Sequence, residues 1–78
     1  MLNIKYFGII AEVVNATEEE VLLGSEDLGI FVADLSKKYA LEGYDFQVAV
    51  NRKIITDLSK FQIKDSDEIA FLPAFAGG

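Results

Sequence analysis

The side chains that most often perform chemistry in proteins are few in this sequence. Histidine and cysteine are absent from the 78 residues, which removes the common general base near neutral pH, the usual zinc ligands and any disulfide. The serines have no histidine to activate them, and no glycine-rich phosphate-binding loop occurs. We therefore expect no active site built from side chains, and the protein is not predicted to be an enzyme on its own.

Two acidic clusters have residue types that bind cations. Residues 18–20 are all glutamate, but hard cations need about six or more convergent oxygens, so a solvated strand start is the better interpretation. Asp65, Asp67 and Glu68 have part of the spacing of a calcium-binding loop, yet Ala70 stands where that loop requires glycine. A turn whose aspartates bond their own backbone fits better, and no metal site is predicted.

The end of the chain is its most unusual segment. Residues 71–78 read Phe-Leu-Pro-Ala-Phe-Ala-Gly-Gly, and two glycines at two given positions occur by chance about once in 200. Glycine lacks a Cβ, so such a tail can thread a narrow channel and bring a carbonyl carbon to a partner's reactive group. A frayed terminus or a cloning remnant would not continue the apolar pattern. We predict residues 74–78 as a flexible tail that reaches roughly 16 Å when extended.

Charge and composition limit the partners. Thirteen acidic against seven basic residues give a net charge of −6, and no basic residue follows Lys64. This surface repels phosphate backbones, so we expect no nucleic-acid partner. No apolar run approaches the roughly 20 residues of a membrane span, and the N-terminal residues lack the features of a signal peptide. We expect a cytoplasmic protein without a membrane partner.

Apolar periodicity predicts the elements that position the tail. Residues 2–7 alternate as in a half-buried strand, a short helical turn follows over residues 9–14, and residues 17–23 form a second strand. The clearest helix covers residues 26–39, with Ser25 as its N-cap. Its interior glycine has no explanation in the sequence. The apolar residues of its buried face are Leu28, Phe31, Val32, Leu35 and Tyr39.

Short strands follow the main helix. A third strand is predicted over residues 46–50, a hairpin tip over residues 51–53 and a brief fourth strand at residues 54–55. The last strand covers residues 68–72 and is ended by Pro73, which cannot donate a ladder hydrogen bond. No linker divides the chain, so residues 1–78 are predicted to form one domain.

The order of these elements predicts the fold class. One main helix covers one face of a mixed four- to five-stranded sheet, and the first and last strands lie side by side at its centre. This is the α+β roll called a β-grasp, or ubiquitin-like, fold. The alternative, a ferredoxin-like sandwich, needs a second full helix, which only residues 56–61 can supply. Apolar residues make up 51% of the chain, so we expect the open sheet face to bind a partner.

Four segments of the chain are similar to those of one protein family. They are Tyr-Phe-Gly-Ile-Ile-Ala-Glu at 6–12, Val-Ala-Val-Asn at 48–51, Asp-Ser-Asp-Glu at 65–68 and the terminal segment at 71–78. Over its whole length the chain resembles the MoaD/ThiS family of small sulfur carriers. The family usually has glycine where Ser66 stands, and often a second proline where Ala74 stands. Neither difference touches the final two glycines.

The resemblance implies a chemistry for the last residue. In the family, an ATP-dependent adenylating enzyme activates the terminal carboxylate, here that of Gly78, and a sulfur donor converts it to a thiocarboxylate. The sulfur then passes to a pterin precursor, to build the group that binds molybdenum or tungsten. No cofactor is bound by the carrier itself, and the ATP is used by the activating partner.

The resemblance also implies roles for the neighbouring residues and a set of partners. The tail enters the large subunit of molybdopterin synthase, in a complex expected to be a heterotetramer. Gly77 allows passage, and Pro73, Phe75 and Ala76 steer and anchor the tail. The residues expected to contact partners on the domain itself are Phe7, Phe71 and Leu72.

Other functions remain open at the level of sequence. Within the carrier class, the sulfur can go to thiamine, to cysteine or to transfer RNA. From another class, the domain can be a ubiquitin-like modifier joined to lysines through Gly78, or a binding module without chemistry.

Overall fold

The chain forms one mixed sheet with helices packed against it. The computed structural model describes residues 1–74. Two single turns of 3-10 helix, Leu41–Gly43 and Leu58–Lys60, connect the larger elements. These larger elements are β1 (Leu2–Tyr6), α1 (Gly8–Val14), β2 (Glu18–Val21), α2 (Leu28–Tyr39), β3 (Phe46–Val50), β4 (Lys53–Ile55) and β5 (Glu68–Pro73).

The sheet has the order β2-β1-β5-β3-β4. The first and last strands, β1 and β5, are parallel neighbours at its centre, while the other neighbours pair antiparallel. This is the predicted β-grasp roll, with five strands. The ferredoxin-like alternative is wrong, because the segment that would supply its second helix forms only the 3-10 turn Leu58–Lys60.

The core lies between one face of the sheet and α2. The alternation along β1 buries Leu2, Ile4 and Tyr6 and leaves the residues between them half-buried. In α2, apolar residues at helical spacing bury the face toward the sheet, as predicted, with Tyr39 half-buried at its end. Within residues 1–74, no helix covers the opposite face of the sheet. No helix within residues 1–74 is long and apolar enough to cross a bilayer.

The start of α2 differs from the sequence prediction. The N-cap is Asp27, whose Oδ1 accepts a hydrogen bond from Ile30 N at 3.1 Å, and Ser25 instead accepts one from Asp27 N at 3.2 Å. Ser25 and Asp27 are both residue types that favour the N-cap, and they are two residues apart, so the sequence alone does not decide which of them caps the helix. The structure also explains Gly29. A Cβ there would lie 3.1 Å from Asp27 Oδ1 and 3.6 Å from the Ser59 backbone.

A two-residue turn joins β3 to β4. Asn51 and Arg52 have φ values of 51° and 70°, which match the left-handed pair of a type I′ hairpin. Lys53, predicted within the tip, already belongs to β4. Asn51 Oδ1 accepts from Glu68 N at 3.0 Å and its Nδ2 donates to Asp67 Oδ1 at 3.0 Å. The hairpin tip is thereby fixed to the start of β5.

The acidic segment before β5 is a turn, as predicted. Asp67 Oδ2 accepts from Lys64 N at 2.8 Å, and Asp67 N donates to Lys64 O at 3.0 Å. The Asn51 side chain and the Lys64 amide hold the pKa of the Asp67 carboxyl below its usual range. Ser66 has no positive φ, so the absence of glycine there causes no backbone strain. Residues 1–74 contain no cluster of side chains suited to a metal ion.

Glu19 ties the edge strand β2 to the core. Its Oε1 accepts hydrogen bonds from Tyr6 Oη at 2.7 Å and Tyr39 Oη at 2.5 Å. The prediction of a solvated acidic start of β2 thus holds for Glu18 and Glu20, which are exposed, but is wrong for Glu19. Burial opposes the charged form of Glu19, yet the two tyrosine hydrogen bonds outweigh it and lower the pKa. Burial and the same carboxylate raise the pKa of Tyr6.

Replacing Glu19 with glutamine is expected to lower the free energy of unfolding at pH 7 by about 1–3 kcal/mol, the usual loss for hydrogen bonds to a charged group. The folded-state pKa of Glu19 is depressed, so this stability is present above the unfolded pKa and is lost as pH falls through the folded pKa. Urea unfolding at neutral and acid pH measures both effects. Glu20→Gln, on the exposed side of the same strand, is the control, and equal losses in the two variants would contradict the prediction.

Candidate functional site

The predicted site residues divide into three groups in the structure. Pro73 ends β5, and Phe7 and Leu72 lie beside it with partly exposed side chains. Phe71 is fully buried, so its predicted role in contacting a partner is wrong. The reason is the alternation along β5, which turns neighbouring residues to opposite faces. The predicted tail residues Phe75, Ala76, Gly77 and Gly78 lie outside the described residues.

Phe71 has a structural role at the base of the tail. Its ring packs against Tyr6 at a centroid distance of 5.7 Å and against Phe46 at 5.3 Å. Its carbonyl accepts a hydrogen bond from Phe7 N at 3.1 Å. These contacts join the end of β5 to both of its neighbours in the sheet. Phe71 therefore anchors the end of β5.

The sheet holds the chain up to Ala74. Pro73 pairs with Phe46 on β3, and Ala74 N donates to Asp45 O at 3.3 Å. Ala74, which was predicted as the first residue of the tail, is therefore hydrogen-bonded to the segment that precedes β3. Because hydrogen-bonded and non-bonded pairs alternate in an antiparallel ladder, the Pro73 nitrogen faces away from β3. On that side β1 has already ended at Tyr6, so the missing N–H of proline costs no ladder bond.

A shallow groove of about 360 Å³ lies on the open face of the sheet beside this exit. Its floor contains the small residues Ala49 and Ala70, which are register partners on β3 and β5 and are almost fully buried. Phe7 and Ile54 rise at its sides and are 44% and 42% exposed. The remaining lining residues are Lys5, Arg52, Glu68 and Leu72.

Sequence reasoning identified Phe7 and Leu72 but missed the rest of the groove. The signal was present, because the alternation of β3 and β5 turns Ala49 and Ala70 away from the core side chains. Small residues at such positions on adjacent strands leave a depression between larger neighbours. Ile54, an apolar residue on the exposed side of an edge strand, was a further signal.

Charge is distributed unevenly over the open face. Lys5 Nζ pairs with Glu68 Oε2 at 3.3 Å in the groove, and Arg52 adds a further positive charge there. At the other edge, Glu18 and Glu20 on β2 line a separate, acidic concavity. A mixed apolar and charged groove of this kind suits the surface of a protein partner. Among residues 1–74, the lining of the groove contains no histidine, cysteine or serine.

The sequence matches a known family over nearly its full length. The model of the ThiS family covers residues 4–78. The chain belongs to the ThiS family. This match confirms the resemblance inferred from the four sequence segments. This ThiS-family chain is also 38% identical over 82 residues to the protein named molybdopterin synthase sulfur carrier subunit from Mycobacterium tuberculosis, covering 99% of the chain and 96% of that protein.

Solved structures confirm the fold of this ThiS-family chain. One is the complex of subunits 1 and 2 of molybdopterin-converting factor from Helicobacter pylori, with a TM-score of 0.71, 25% identity and coverage of 99% of this chain and 97% of that one. Another is the small archaeal modifier protein 1 from Methanosarcina acetivorans, with a TM-score of 0.74, 25% identity and coverage of 99% and 95%. Both are similar to the chain in fold over almost all of its length.

Proposed function

We propose that this protein is a sulfur carrier that delivers sulfur, as a thiocarboxylate of Gly78, to a pterin precursor in molybdenum or tungsten cofactor synthesis. The main support is the family match, which extends to residue 78 and so includes both final glycines. The 38% identity to a molybdopterin synthase sulfur carrier subunit supports this acceptor in particular.

The proposed chemistry uses the terminal carboxylate of the main chain, because the sequence has no histidine or cysteine side chain to react. A carboxylate is a poor electrophile, so it must first acquire a leaving group. The Gly78 carboxylate attacks the α-phosphate of ATP on an adenylating enzyme, pyrophosphate leaves, and an acyl-adenylate forms. Sulfide from a donor then attacks the acyl carbon, AMP leaves with the electrons of the broken C–O bond, and the thiocarboxylate remains. The carrier binds no cofactor, and the use of ATP fits a cytoplasmic location.

The tail beyond the sheet delivers this group to the partner. Four residues follow Ala74, and extended they reach about 14 Å. Gly77 gives a narrow chain that can enter a channel, while Phe75 and Ala76 provide apolar contacts that hold the tail there. The partner's channel must supply a positive charge, because a buried carboxylate or thiocarboxylate needs a charged partner.

The groove on the open face docks the partners. Its apolar sides, Phe7 and Ile54, lie on the same sheet as the end of β5. A partner seated there is therefore close to the base of the tail. The occupants are the adenylating enzyme and then the large subunit of molybdopterin synthase, in a heterotetramer. The large subunit as an occupant is supported by the similarity to the solved complex of subunits 1 and 2 of molybdopterin-converting factor.

A second function is favoured by the similarity to the small archaeal modifier protein 1. In this case the activated Gly78 forms an amide with a lysine of a target protein. Immunoblots of cell extracts distinguish the two functions. A ladder of high-mass conjugates that disappears when Gly78 is deleted supports the modifier, and its absence together with sulfur transfer supports the carrier alone.

Deleting Gly78 is expected to leave folding and docking nearly unchanged while abolishing sulfur transfer. The new terminal carboxylate is set back by about 3.5 Å, and a misplacement of even ~1 Å can cost on the order of 100-fold in rate. Product formed in a single turnover with the purified large subunit measures the effect. Gly78→Ala keeps the carboxylate in register and should lose less. Full transfer by the shortened protein would refute the proposal.

Replacing Phe7 with glutamate is expected to weaken binding to the large subunit tenfold or more. Phe7 is 44% exposed at the side of the groove, and each decade of affinity corresponds to ~1.4 kcal/mol. Ile30→Glu is the matched control, because Ile30 is 54% exposed on α2, the helix that covers the other face of the sheet. Calorimetry measures the affinities and circular dichroism checks the fold. Equal affinities for the two variants would argue against this docking surface.

A further inference from the structure

Gly8 lies where β1 ends and α1 begins, beside the exit of the tail. It has a φ of +57°, and a Cβ built on it would lie only 2.6 Å from Pro73 Cγ and 3.5 Å from Pro73 Cδ. Carbon atoms normally pack at about 3.5–4.0 Å. Only a residue without a Cβ fits against the Pro73 ring here unless the ring or one of the two segments moves.

Pro73 is held differently on its two sides. Toward β3 it pairs with Phe46, and the next residue is bonded to Asp45. Toward β1, proline has no N–H to donate, and packing against Gly8 takes the place of a ladder bond. A group that pushes Pro73 on this side displaces the point from which the last four residues leave the sheet.

We propose that Gly8 is a positioning residue for sulfur transfer: the absence of a side chain lets Pro73 rest on the start of α1, and this contact sets the direction in which the tail enters the partner. The inference rests on the proposed carrier function. Neither Gly8 nor Pro73 lines the docking groove. The direction of the tail and the binding of the partner can therefore be measured separately.

The effect of an added methyl group follows from these distances. Relieving the overlap requires Pro73 to move by about 1 Å, the difference between the built contact and ordinary packing. An error of that size at a reacting atom can cost on the order of 100-fold in rate. Four residues separate Pro73 from Gly78 and absorb part of the shift, so we expect a loss of about tenfold.

The test is a set of single and double substitutions. Gly8→Ala is expected to lower the maximal rate of transfer at saturating large subunit about tenfold, with the dissociation constant changed less than threefold. Pro73→Ala removes the Cγ and Cδ atoms and keeps the β3 pairing; because it also removes the contact with Gly8, its own rate is the reference for the double variant. In the double variant, the rate should return to that of Pro73→Ala, because the clashing atoms are gone.

The double variant separates positioning from stability. Alanine at a positive φ is strained with or without Pro73, so the midpoint of urea unfolding should fall in both Gly8→Ala proteins while the rate recovers in only one. Gly24→Ala is the matched control, since a Cβ there meets nothing within 4 Å. If Gly8→Ala does not fold, Gly8→Asn replaces it, because asparagine tolerates a positive φ and carries the same Cβ.

The outcomes distinguish failure of the positioning role of Gly8 from failure of the proposed carrier function. If the unaltered protein transfers no sulfur, the carrier function fails. If it transfers sulfur and Gly8→Ala matches it in rate, the positioning role alone is overturned. A rate loss in Gly8→Ala that Pro73→Ala does not relieve also overturns it, because the contact would then not be the cause.

Discussion

The parallel pairing of β1 with β5 is the constraint on which the rest of the structure depends. It joins the two ends of the chain in register, from Asn3 opposite Glu68 to Tyr6 opposite Phe71. Because the two strands run in the same direction, both finish at the same edge of the sheet. There β1 is followed by α1, while β5 ends at Pro73 and the next residue, Ala74, is hydrogen-bonded to Asp45. The pairing thus places the end of β5 beside Phe7 and Gly8.

The one-sided packing of the sheet follows from the same arrangement. Within residues 1–74, α2 is the long helix that covers one face of the sheet. The apolar side chains therefore lie partly in the core beneath α2 and partly on the open face. On the open face, the paired Ala49 and Ala70 cannot fill the space between their larger neighbours. A groove results without any strand being distorted. Its position next to the end of β5 is the basis for the proposed link between docking and delivery of the tail.

Periodicity in the sequence predicted the strands and α2 well, because a half-buried element must repeat its apolar residues with the geometry of the backbone. The errors came from contacts between distant segments. Phe71 and Leu72 were both assigned to the surface, although neighbours in a strand face opposite ways. Glu19 looked solvated until Tyr39, twenty residues later, supplied a donor. The roles of Gly29 and Gly8 depend on Ser59 and Pro73, which no local pattern can reveal.

A carrier whose reacting atom belongs to the main chain constrains its own side chains in an unusual way. None of them needs to donate a proton or attack a carbonyl, so their influence on the reaction must act through geometry. In the proposed carrier, Phe7 and Ile54 position the partner in the groove. Gly8 has the proposed role of positioning the end of β5. At Gly8, the useful property is the space that a Cβ would occupy, since Pro73 already fills it.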